Sequence, residues 1–239
     1  MTKLVLFVTL FFLSFAFYAQ ENHLLEKIQK QLKLKDDAIF AIETKVIPNN
    51  AALSIIAIGK YTTIPNNDGF DCTLLLLLID NKTEKIITQY TENNKYTSDA
   101  IRLSSISIDM ANYKISETVR AFGIRSNFSG SSQVNPYSLE NISLYTIKNN
   151  KIEKVLDEYE MSSGIGEWDM RCNYEGEESE SIFIMQKEKS EGYFNILVKT
   201  KVTKRKNTPS KRDENDCIET IKKLKPSSKI LMHKKGIYK

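Results

Sequence analysis

The chain is poor in the residues that most often move protons in enzymes. Its 239 residues include two histidines, His23 and His233, and neither lies beside a candidate nucleophile in sequence. A His-dependent triad is therefore not expected. GxSxG, HExxH and P-loop patterns are missing as well. The three cysteines have spacings that match no zinc pattern, and neither a metal nor a cofactor is expected. Glycine and proline number only nine and five, so Asn, Asp and Ser must make most of the turns. The Ser-Gly-Ser-Ser run at Ser129, Ser131 and Ser132 reads as one such turn. Asn66, Asp68 and Gly69 resemble part of a calcium loop, but placing Gly69 sixth puts Ile64 first, with no oxygen to offer. That segment reads as a plain turn.

What the chain does have begins with a leader. Lys3 precedes an apolar stretch from Leu4 to Phe17 that is too short to span a bilayer comfortably. Residues 1–19 are expected to be a secretory signal cleaved after Ala19, with no transmembrane segment thereafter. The mature chain, 20–239, is expected to be one β-rich domain, periplasmic or secreted. Export implies an oxidising compartment, where three cysteines allow one bridge. The pair expected is Cys172 with Cys217, because a hairpin within Ser181 to Lys206 brings its flanks together. Cys72 is then a buried small hydrophobe.

Charge is unevenly distributed. From Lys199 onward there are 14 basic and 4 acidic residues, a net of +10, against 19 basic and 26 acidic from Gln20 to Val198, a net of −7. For an exported protein nucleic acid is not the expected partner, and the basic end reads as a solvated, Lys-guarded sheet edge. Glu175, Glu177, Glu178 and Glu180 read as a solvated acidic loop able to attract it.

The periodicity is that of strands. Glu21 to Leu34 predicts a short amphipathic helix through Leu24, Leu25, Ile28 and Leu32. After it come strands at Phe40 to Ile47, Leu53 to Tyr61, and the unbroken apolar run Leu74 to Ile79. Asn81-Lys82-Thr83-Glu84-Lys85-Ile86-Ile87 with Tyr90 is matched by Asn150-Lys151-Ile152-Glu153-Lys154-Val155-Leu156 with Tyr159, each after an apolar strand. Further strands are expected over Ile101 to Met110, Tyr113 to Phe128, Ile182 to Met185 and Tyr193 to Val202. Lys204 to Asp216 is expected as a loop, a short helix is expected to hold Ile218, Ile221 and Leu224, and Lys229 to Tyr238 reads as a final strand pair turning at Gly236. The fold class is all-β, about ten mostly antiparallel strands with repeated hairpins (propeller-like, barrel or sandwich) plus the N-terminal helix.

The segments YTSDAIRLSSISID, RAFGIR, SGSSQVNPY and GEWDMRC together resemble a group of small exported bacterial proteins without known activity. The resemblance spans about residues 40 to 205 and implies export.

Candidate binding residues sit after the two repeat copies. The first loop holds Tyr96 and Asp99, and the second holds Glu167, Trp168 and Asp169. Arg120 and Arg125, five apart on one strand, point to opposite faces unless a bulge near Gly123 realigns them. The function expected is non-enzymatic binding of a protein, of the inhibitor or immunity type. The alternative is a carboxylate-based glycan hydrolase using Asp99, Glu167 and Asp169, whose carboxyl groups would have to lie about 5 to 9.5 Å apart.

Overall fold

The computed structural model describes residues 23–63, 65, 68–211 and 216–239. The expected signal, and Ile64 and Asn66 of the candidate calcium loop, lie outside the described residues. After a helix over residues 23–32, four strands form one sheet in chain order: β1 (Ile39–Ile47), β2 (Asn50–Tyr61), β3 (Phe70–Asp80) and β4 (Lys85–Ser98). A second sheet runs β5 (Ile101–Lys114), β6 (Arg120–Gly130), β7 (Tyr137–Lys148), β8 (Lys151–Trp168), β9 (Tyr174–Ser190), β10 (Tyr193–Pro209) and β11 (Cys217–Lys223). β12 (Ser227–Leu231) pairs with β10 next to β11, and β13 (His233–Lys234) and β14 (Ile237–Tyr238) form a terminal hairpin. Every ladder is antiparallel. The all-β expectation holds, and the architecture is a sandwich.

The leucine run explains the layering. β3 lies inside its sheet, and its residues alternate between two covered faces. Leu74, Leu76 and Leu78 meet Ile106, Ile108, Phe122, Ile124 and Tyr145 of the larger sheet. Leu75, Leu77 and Ile79 meet the helix through Ile28, which is fully buried, with Leu24, Leu25 and Leu32 around it. A strand buried on both sides has no polar positions to alternate with, hence the unbroken run. A third core fills a fork in the larger sheet. β8 pairs with β9 only from Ser162 to Trp168, and before that point β10, β12 and Tyr238 close over Ile142, Leu144, Val155 and Leu156.

The repeat corresponds to the hairpins β3–β4 and β7–β8. Asn149 and Asn150, with φ of 50° and 58°, make the two-residue turn of the second. The first turns over four residues, where the Asp80 carboxylate accepts bonds from the Thr83 amide (2.7 Å) and hydroxyl (2.9 Å). Each return strand carries a left-handed bulge residue, Asn94 (φ 48°) or Glu158 (φ 42°). A hydroxyl on the preceding strand takes each bulged amide: Thr73 Oγ1 accepts from Asn94 at 3.3 Å, and Ser143 Oγ from Glu158 at 3.0 Å.

At these bulges the two copies touch. Lys95, with a side chain only 7% exposed, reaches Asp157 (2.6 Å), Glu158 (3.4 Å) and Glu92 (3.6 Å), while Lys154 reaches Glu92 (2.6 Å) and Asp157 (3.0 Å). The buried Tyr145 hydroxyl also donates to Glu92.

Three expectations are corrected. Glu175 to Glu180 is no loop but the first half of β9, laid against basic β10: Lys204 meets Glu177 at 2.9 Å and Lys206 meets Glu175 at 3.3 Å. Lys204 to Pro209 likewise continue β10, and residues 212–215 of that expected loop lie outside the described residues. The segment expected as a helix is the strand β11. Its Ile218 and Ile221 sit on opposite faces of that strand, each 50% exposed. A spacing of three mimics a helical period, but here it reflects two side chains that share no face.

Candidate binding surface on the sheet extension

Beyond the fork, β8, β9, β10 and β11 run on as a single layer. Paired residues share a face. On one face lie Ile165, Glu177, Lys204 and Lys222 in one row, and Glu167, Glu175, Lys206 and Thr220 in the next. These rows floor a groove of about 620 Å³, which Asn135 also lines. An adjoining hollow of about 460 Å³ continues toward Val134, Trp168 and Thr208. Ile165 is 56% exposed, and Glu167 and Lys222 make no salt bridge among the described residues. They stand three strands apart, about 14 Å at ordinary strand spacing.

The opposite face carries Trp168, Tyr174, Gly166, Gly176, Arg205 and Ile221. Gly166 and Gly176 face each other, and the Tyr174 ring lies over both, so a Cβ on either would stand within 3 Å of it. The ring supplies the packing that the glycines lack. With no core beneath it, the extension is held by its ladders and by the expected disulfide, Cys172–Cys217, which joins the β8–β9 turn to the start of β11 across 45 residues.

The structure scatters the expected site residues. Tyr96 belongs to β4 and is 2% exposed, so it packs in the sandwich core with Phe128 and presents no loop surface. Asp99 turns the chain by accepting from the Ile101 amide (3.0 Å). β6 pairs with β7 in unbroken register, leaving Arg120 and Arg125 on opposite faces. Arg120 donates to the carbonyls of Met110 and Ala111. Arg125 donates to Asp109 (2.8 Å) and pairs with Glu140. Asp109 is also bonded by Tyr113 (2.7 Å), and burial followed by this carboxylate raises the Tyr113 hydroxyl above its ordinary range.

Glu167 and Trp168 lie on the extension, on opposite faces. The indole donates to the Arg171 carbonyl (2.8 Å). Asp169 is the keystone of the adjoining turn: it accepts from Asn173 Nδ2 (2.6 Å) and from the amides of Arg171 (2.8 Å) and Asn173 (3.0 Å). The Asn173 side-chain bond leads the effects that hold this carboxyl below the usual range. Asp169→Asn should loosen the turn without touching the core, so amide exchange should rise at Arg171 and Asn173 while β3 stays protected. Asp99 and Glu167 share one end of the sheet, but β6 and β7 lie between their strands, a separation of about 14 Å that exceeds the hydrolase range.

Cys72 is fully buried, and burial pushes its thiol up to about 12. His233 is wedged between Tyr193 and Tyr238. Among the described residues no group of His, Cys, Asp and Glu could hold a metal, and no helix is long and apolar enough to cross a membrane. Comparison with protein-family models, curated proteins and solved structures returns no match.

Proposed function

We propose that the chain is an exported, non-enzymatic protein whose work is to bind another protein on the groove face of its sheet extension. The observation that carries this reading is the extension itself, a disulfide-stapled single layer that leaves both faces in water. Sheets ordinarily bury at least one face. The partner that fits places a cation against Glu167, an apolar side chain on Ile165 and an anion against Lys222. An inhibitor or immunity role is compatible with such a rigid, preformed surface. The leader and the bridge support export.

The test is capture from envelope extracts of the source cell with the oxidised protein as bait. Ile165→Lys and Lys222→Glu should each abolish capture while leaving the thermal midpoint unchanged. Capture indifferent to both substitutions would overturn the reading, as would glycan turnover that disappears in Asp169→Asn.

A further inference from the structure

We infer that β11 is a self-association edge through which two copies of the chain join their larger sheets into one. The inference does not depend on which partner the groove binds, although Thr220 and Lys222 border both the groove and this edge.

All seven residues of β11 are exposed, and among the described residues no strand pairs with its outer side. Its ladder with β10 fixes which backbone groups are free. Ser210 donates to Asp216 at one end and Leu224 donates to Val202 at the other, in the same register as Lys222 with Lys204. Antiparallel pairing alternates, so the backbone groups of Ile218, Thr220, Lys222 and Leu224 point at β10. Those of Glu219, Ile221 and Lys223 point outward. Pro209, which has no amide to give, sits opposite Cys217, where this alternation requires none.

A two-fold axis perpendicular to the sheet through Ile221 satisfies both backbone and side chains. Ile221 then faces Ile221 of the second copy, flanked on each side by Glu219 opposite Lys223, all on one face. On the other face Ile218 meets Leu224 and Thr220 meets Lys222. The three outward-pointing pairs would make about six backbone hydrogen bonds. Neighbouring registers are worse: one step one way sets Glu219 against Ile221, and one step the other way sets Lys222 against Lys222. The lysines that guard this edge against indiscriminate pairing thus admit one partner, the same strand inverted. Pro226, just past β11, ends the matched stretch. An edge this short implies a reversible dimer.

Sedimentation equilibrium of the oxidised protein from about 1 to 500 µM should show a monomer–dimer equilibrium. Ile221→Pro removes an outward amide and no bond to β10, and should weaken the dimer at least about tenfold. Glu219→Lys, which also gives up the Arg205–Glu219 pair within the chain (2.7 Å), and Lys223→Glu should each do the same, and the double reversal should bind more tightly than either single variant. A monomer across the whole range overturns the inference. So does a dimer that ignores the proline, or a double reversal no better than the singles.

Discussion

Replacing Lys95 with methionine should cost about 3 kcal/mol of folding stability, read from urea denaturation at neutral pH. Lys95 is the least exposed charged group where the two repeated hairpins meet, and it sits among Asp157, Glu158 and Glu92. Methionine keeps its bulk but leaves Glu92 and Asp157 to share the one remaining ammonium, that of Lys154, and Glu158 without its cation. The cost arises from the unpaired charges, so Lys95→Arg should recover part of it.

The same cluster sets limits in pH. Burial opposes charge on Asp157, but Lys95 and Lys154 outweigh it and hold the carboxyl below its ordinary value. Such a group stabilises the fold above the unfolded pKa of about 3.9, and the contribution is lost as pH falls through the lowered folded value. For Lys154 burial likewise opposes charge, and Glu92 and Asp157 reverse it, raising the pKa. Its contribution is complete below about 10.4 and is lost as pH rises through the raised folded value. Wild-type stability should therefore be flat between about pH 5 and 9 and fall on both sides. The acid limb should be shallower in Asp157→Asn, and an unchanged limb would remove the cluster from the account.

Removing the disulfide with Cys172→Ser and Cys217→Ser should cost up to about 4 kcal/mol by the chain-entropy relation for a loop of this length. The loss should be local before it is global. β11 has no buried side chain and, among the described residues, pairs with β10 alone, so once the bridge is gone its amides should lose hydrogen-exchange protection while those of β3 keep theirs. Uniform loss of protection across both sheets would show that the extension and the sandwich unfold as one unit.

The sequence was legible where burial left a mark. The leucine run, the amphipathic helix, the two hairpins and the Gly236 turn follow from apolar periodicity or turn chemistry, and the bridge from the hairpin that draws its cysteines together. It was opaque where strands have water on both sides. In β9 and β10 past the fork, and in β11, no face is buried, so the period-2 pattern that reports a strand is absent. The acidic stretch then looked like a loop and Ile218 to Leu224 like a helix. A readable signal existed in the cross-strand match of Glu175 and Glu177 with Lys206 and Lys204, but it requires the hairpin register first. Tyr96 was misplaced because β4 runs on past its bulge at Asn94, and nothing nearby in the sequence marks a bulge without glycine.

That bulge bears on how β3 is read by its neighbours. Five successive leucines, interchangeable between two apolar layers, carry almost no positional information: a slip by one residue would put leucine where leucine had been. Alignment has to come from the strand's two ends. At one end the Thr73 hydroxyl accepts the Asn94 amide and meets the Thr62 hydroxyl at 2.8 Å; at the other the Asp80 carboxylate organises the turn. These two polar residues act as index marks on an otherwise featureless ruler. Altering both would leave the hydrophobic content of the sandwich untouched while making its central strand ambiguous.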